Sequence, residues 1–148
     1  MSEHLHGRNT KLYYDEDGVS TYTEVGDVEE IAAPGIAVGK SPDAVLTSTH
    51  LFDTPGWISL EDGSFKLKIH KTQYNTLLGF CTAKTTLYWR ILLPQLSTGE
   101  SSSGSKIEFQ AWISNFKLLE PISVGSDDKI MATITFTPTT IPVWTSGS

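Results

Sequence analysis

The sequence contains a single cysteine, Cys81, so no intrachain disulfide can staple the fold. That usage fits folding in a reducing cytoplasm. No run approaches the ~20 apolar residues that a membrane-spanning helix requires. The opening Met1-Ser2-Glu3-His4 has neither the basic patch nor the apolar stretch of a secretory signal. The expectation is a soluble product of the cytoplasm with no membrane partner. Cations are sparse as well: 11 Lys and Arg against 17 Asp and Glu leave a formal charge of −6, with no basic block. A tight nucleic-acid binder needs clustered Lys and Arg to neutralise phosphates, and that footprint is missing.

Reactive constellations are equally scarce. There is no G-x-S-x-G, P-loop or dinucleotide fingerprint, and the Gly/Ser-rich stretch 99–105 carries no lysine to grip a phosphate. His4 and His6 sit near the terminus, and His70 falls on the polar side of its segment. With His50 they make no metal-ligand spacing, so they read as solvated side chains. Asp15-Glu16-Asp17 lacks the twelve-residue spacing and terminal Glu of a calcium loop, and reads as a turn. Cys81 lies on an apolar helical stripe and reads as a small hydrophobe rather than a nucleophile. We therefore assign no catalytic, cofactor-binding or metal-binding residue.

What the sequence does contain is strand pattern. At 148 residues and 39% hydrophobic it suits one domain, and a domain of that size buries about 70% of its unfolded surface. Phe65, Leu67 and Ile69 alternate with Lys66, Lys68 and His70. Ile107, Phe109, Ala111 and Ile113 alternate with Glu108, Gln110, Trp112 and Ser114. Ile130, Ala132, Ile134 and Phe136 alternate with Met131, Thr133 and Thr135. Each is the period-two signature of a half-buried strand. Residues 86–93 are apolar on both faces, which places them centrally, with Arg90 needing a polar outlet. Weaker strands are expected at 11–14, 22–31 and 43–47.

Asp15-Glu16-Asp17-Gly18, Pro34-Gly35, Pro55-Gly56 and Asp62-Gly63 read as turns. Tyr74, Leu77, Leu78 and Cys81 recur at helical spacing, so one short helix is expected over about 72–80, with Thr72 as N-cap and Gly79 near its frayed end. The whole is a mainly β domain with a single helix. Residues 1–8 are expected to form a flexible arm, and 141–148 an extended or mobile tail. Trp112 and Tyr88 alternate outward, and with Trp57 they could serve as a sugar-stacking platform, an interface, or surfaces covered within the same chain.

The order of the segments resembles the tail tube family of lambda-like siphophages. Glu24-Val25-Gly26-Asp27-Val28-Glu29-Glu30-Ile31-Ala32-Ala33-Pro34-Gly35 is similar to the stretch after that family's first hairpin. Pro42-Asp43-Ala44-Val45-Leu46-Thr47-Ser48-Thr49 resembles the stretch that leads into its long excursion. Phe52-Asp53-Thr54-Pro55-Gly56-Trp57-Ile58-Ser59-Leu60-Glu61-Asp62-Gly63 resembles its Pro-Gly turn. The resemblance covers about residues 7–143. The chain departs from the family where Thr139-Thr140 replaces a frequent Gly and where an Asp is missing after Leu46.

The resemblance implies a tail-tube-type β-sandwich or partial barrel, with subunits in hexameric rings stacked into a DNA-conducting tube. The implied partners are other copies of the chain, a tape measure protein, a tail terminator and tail tip or initiator proteins. DNA would transit without specific binding. The place would be the virion tail, after assembly in the host cytoplasm. Contacts between subunits or rings are expected from the loop Thr47, Ser48, Thr49, His50, Leu51, Phe52, Asp53, Thr54 and Pro55. Glu24, Glu29, Glu61 and Glu108 are the expected lumen-facing acids. Two other classes fit the pattern: a type VI-like ring protein or head–tail joining protein of the same fold, and a carbohydrate-binding β-sandwich.

Overall fold

Phe65 and Leu67 turn inward and Lys66 and Lys68 turn partly outward on a strand, and the same logic shapes the whole domain. The computed structural model describes residues 7, 9–19, 21–44, 51–95, 104–118, 124–125 and 129–147. In chain order these form β1 (Lys11–Asp15), β2 (Thr23–Val25), β3 (Val28–Ala32), β4 (Gly35–Ala44), β5 (Leu51–Glu61), β6 (Gly63–Lys68), α1 (Lys71–Ala83), β7 (Thr86–Leu92), β8 (Lys106–Leu118), β9 (Met131–Pro138) and β10 (Val143–Thr145). The fold is mainly β with one helix, as the alternation required. The main sheet runs β2-β1-β7-β8-β9-β6-β3, with β10 also pairing β8, and every pairing is antiparallel. As expected of a segment apolar on both faces, β7 is flanked on both sides, by β1 and β8.

This sheet curls. β7 and β6 are three strand spacings apart, about 14 Å if flat, yet the rings of Phe65 and Trp89 lie 5.7 Å apart. Trp89 also stacks on Phe136 at 5.4 Å, and Phe109 meets Phe136 at 5.1 Å. The buried Trp89 indole donates its N–H to the Ala111 carbonyl at 3.1 Å, so its polar atom is satisfied inside the core. The segment expected as one strand over 22–31 is instead split by a turn at Gly26-Asp27. Its first half, β2, pairs β1, and its second half, β3, pairs β6. Two residues thus link the two margins of the sheet into a partial barrel.

The helix holds that link. The Gln73 side-chain amide accepts from the Gly26 N–H at 3.1 Å and donates to the Gly26 carbonyl at 3.0 Å. Leu77 is fully buried, Tyr74 packs edge-on against Phe116, and Phe80 against Tyr14. The helix is longer than its stripe suggested. His70, not Thr72, is the N-cap, without a side-chain cap bond. The helix runs past Gly79 to Ala83, where Lys84 turns left-handed (φ 57°) and the amides of Lys84 and Thr85 satisfy the carbonyls of Cys81 and Phe80. Nothing crowds Gly79, and carrying on past it lets Phe80 reach the core.

Two bulges reset the strand phase. In β8 the register shifts between Ile113 and Asn115, so Phe116 packs against the core although Ser114 does not. In β3 the shift between Val28 and Glu30 leaves Glu29 and Glu30 both exposed.

Candidate assembly surfaces

The least self-sufficient part of the chain is a hairpin. β4 and β5 pair only with each other, from Gly35 opposite Glu61 to Ala44 opposite Leu51, a ribbon about 30 Å long at ~3.4 Å per residue. It meets the barrel near its base, through β5 and β9. Ile36 lies opposite Leu60 and Val38 opposite Ile58, making an apolar stripe. Yet Ile36 and Val38 are each 50% exposed and Ile58 54%. Trp57 is 91% exposed. An isolated two-stranded ribbon is marginal in water, and here both outer edges and an apolar face are uncovered among the described residues.

The ribbon revises the reading of this region. Pro55-Gly56, taken as a turn, lies inside β5, and Leu51, Phe52, Asp53, Thr54 and Pro55 belong to a strand rather than a loop. Pro55 is tolerated because it sits on an edge strand, where a missing N–H need not break a ladder bond. The register shifts between Val38 and Lys40, and Gly39 faces Gly56 so closely that a Cβ on Gly56 would stand 3.1 Å from the Gly39 carbonyl oxygen. Thr47, Ser48, Thr49 and His50 lie outside the described residues.

A second uncovered surface is the C-terminal strand. After β9 the chain is fastened to β8: the Thr139 amide donates to the Gln110 carbonyl at 2.8 Å, and the Gln110 amide to Thr140 Oγ1 at 2.9 Å. Here Thr139-Thr140, where the family often has Gly, serves as a clamp. The segment expected to be extended or mobile therefore carries β10, which continues along β8 opposite 106–108. Val143 and Trp144 are 59% and 48% exposed.

The candidate lumen acids fall into two kinds. Glu108 on β8 accepts from Arg90 Nε and Nη2 at 3.2 and 3.0 Å and lies 3.5 Å from Lys106. This supplies the polar outlet that Arg90 needed, and the Tyr22 ring caps the guanidinium at 4.0 Å. The Tyr22 hydroxyl is held above its usual pKa, first by burial, then by Glu108, Asp15 and Tyr88, with Arg90 pulling the other way. Glu29 pairs with Lys68 at 2.9 Å, and that bond raises the lysine's pKa. Glu24 and Glu61 are exposed and have no ion pair among the described residues. Cutting Glu108 back to Ala would leave a half-buried guanidinium with only Tyr22 and water. The expected cost is about 1–3 kcal/mol in urea unfolding, with a clearly smaller effect for Glu29→Ala at its solvent-exposed pair.

The aromatic residues do not form a single platform. Trp57 is on the ribbon and Trp112 on the barrel. Tyr88 is covered by the β1–β2 turn, where Gly18 (φ 74°) sits so close that a Cβ would stand 2.8 Å from the Tyr88 ring. His70 is exposed at the helix start, and Cys81 is half-buried against the core. Among the described residues no group of three or more His, Cys, Asp or Glu could hold a metal, and no helix is long and apolar enough to cross a membrane.

Solved structures share this architecture over nearly the whole chain. The anti-feeding prophage tube-terminating cap superposes with a TM-score of 0.72 at 10% identity, covering 99% of this chain and 95% of that one. The chain has the tail-tube fold. A subunit from the tail of an empty GTA particle, with C6 symmetry, gives 0.69 at 8% identity, covering 97% and 100%. The SPP1 tail tube gives 0.66 at 9% identity, covering 97% and 80%. No protein-family model and no curated protein matches the sequence. At such identities the likeness lies in the fold, with few side chains shared.

Proposed function

We propose that this protein is the major tail tube subunit of a long, non-contractile phage tail. Copies close into hexameric rings that stack into a DNA-conducting tube. The observation that carries the proposal is the β4–β5 ribbon, whose apolar stripe and open edges have no cover among the described residues. A heterologous contact that closes on itself covers such a surface without leaving an aggregating edge. The tail-tube fold and the six-fold symmetry of similar tails support the ring number. Residues 47–55, of which 51–55 belong to β5, are the proposed contacts between rings or subunits. A tape measure protein in the lumen, a tail terminator and tail tip proteins complete the partner set. The role is structural rather than enzymatic, with assembly in the host cytoplasm and final residence in the virion tail.

Glu24 and Glu61 are the best candidates for a DNA-repelling lining, because Glu29 and Glu108 already have cationic partners. The second reading, a tube of a contractile injection system or a type VI-like ring, draws on the similarity to the anti-feeding prophage and to an Hcp protein. A sheath gene beside this one would favour it, and its absence beside a tape measure gene the first. The direct test is electron microscopy of the concentrated purified chain. Hollow six-fold cylinders are expected. A protein that stays monomeric at every concentration and is missing from virions would overturn the proposal.

A further inference from the structure

The β4–β5 ribbon changes character at one level. Val38 lies opposite Ile58 and Lys40 opposite Pro55, so between these pairs one residue of β4, Gly39, faces two of β5, Gly56 and Trp57. That is a β-bulge, which leaves a residue unpaired and interrupts the ladder of hydrogen bonds. The bulge falls where both strands carry glycine. Neither glycine has a side chain to tie the strands together, and Trp57, 91% exposed, leaves its ring uncovered among the described residues.

Toward its base the ribbon is braced. The Ser59 hydroxyl donates to the Ala37 carbonyl at 3.3 Å, Ile36 and Val38 lie opposite Leu60 and Ile58, and β5 meets β9 of the barrel. On the other side of the bulge, Pro55 locks its own φ and so confines rotation of this strand to the residues between it and Ile58. Glycine changes backbone conformation there at the lowest steric cost. A Cβ on Gly56 would stand 3.1 Å from the Gly39 carbonyl oxygen, whereas one on Gly39 would meet ordinary contacts, the nearest 3.4 Å away at the Trp57 oxygen.

We propose that the ribbon hinges at Gly39 and Gly56, with its outer half swinging on the braced inner half. The five pairs of the outer half, from Lys40–Pro55 to Ala44–Leu51, make a lever about 17 Å long, and a swing of roughly 20° carries its end about 6 Å. The use of this hinge rests on the self-assembly reading above. The inner stripe seats on one copy while residues 47–55 adjust to another.

The experiment measures electron-spin distances in the frozen, unassembled full chain, where a hinge shows as a broad distribution. Cys81→Ser removes the native thiol, and one label is fixed on the barrel at the exposed Asn115→Cys. The second label sits just inside the bulge, at the exposed Ile58→Cys, or near the outer end, at Asp43→Cys. The Asn115–Asp43 distribution is expected to be broader than the Asn115–Ile58 one by several ångströms. Deleting Gly56 removes the extra residue and keeps every other cross-strand pair, so it should narrow the first distribution to the breadth of the second. Gly39→Ala, which keeps the chain length and fits the space, should narrow it part of the way. Equal breadths in the unaltered ribbon, or a breadth that neither variant reduces, would overturn the hinge whether or not tubes form. Deleting Gly56 should also raise the critical concentration for assembly about 10-fold or more, and unchanged assembly would overturn the hinge's use. A chain that shows the hinge yet never assembles would instead sink the tube reading.

Discussion

Replacing Trp89 with alanine is expected to destabilise the monomer by about 3–5 kcal/mol, a third or more of the stability of an ordinary domain. Trp89 is fully buried, and its ring contacts Tyr14 from β1, Phe65 from β6 and Phe136 from β9. Tyr14 is the cross-strand partner of Trp89, whereas Phe65 and Phe136 reach it because the sheet curls around the indole. Truncation also removes the N–H bond to the Ala111 carbonyl, although that oxygen can relax toward other donors. Trp89→Phe keeps the ring but loses the donor and part of the volume, so it should cost less than half as much. Urea unfolding of both variants checks the order, and an alanine variant within 1 kcal/mol of wild type, an interval set by the usual scale of surface changes, would contradict the curled core.

The second large effect concerns assembly rather than folding. Removing residues 36–60 and joining Gly35 to Glu61 through an Asn-Gly turn should leave the barrel folded, with a melting temperature within a few degrees of wild type. The ribbon pairs with no strand of the main sheet among the described residues, and it meets that sheet through β5 and β9. The critical concentration for assembly should rise by at least about 100-fold, because the apolar stripe, Trp57 and residues 47–55 leave together. A shortened chain that still builds tubes of normal length would remove the ribbon from the assembly mechanism. A shortened chain that fails to fold would show that the ribbon belongs to the core.

The strands that meet the core were legible because their environment has two sides. β6, β8 and β9 alternate in sequence as they do in burial, β7 is apolar on both faces as its central place requires, and Phe116 records the β8 bulge as a change of phase after Ser114. The ribbon was not legible. Residues 36, 38–40 and 55–59 are exposed in the single chain, so no core imposes a period there, and Pro55-Gly56 then looks like a turn. Its strands are set by pairing across the hairpin, a long-range register that local chemistry does not encode. The segment expected as a loop over 47–55 is therefore strand from Leu51 onward.

The amino-acid sequence alone determined a mainly β domain, its central strand, its one helix, its single cysteine and its lack of a basic run, since each follows from residue type and spacing. Tertiary structure decided where the helix ends, which carboxylate receives Arg90, how Gly26-Asp27 joins the margins of the sheet, and which apolar side chains remain uncovered. Those outcomes depend on partners far apart in the chain. Gln73 reaches Gly26 and Phe65 reaches Trp89 only after the sheet has curled.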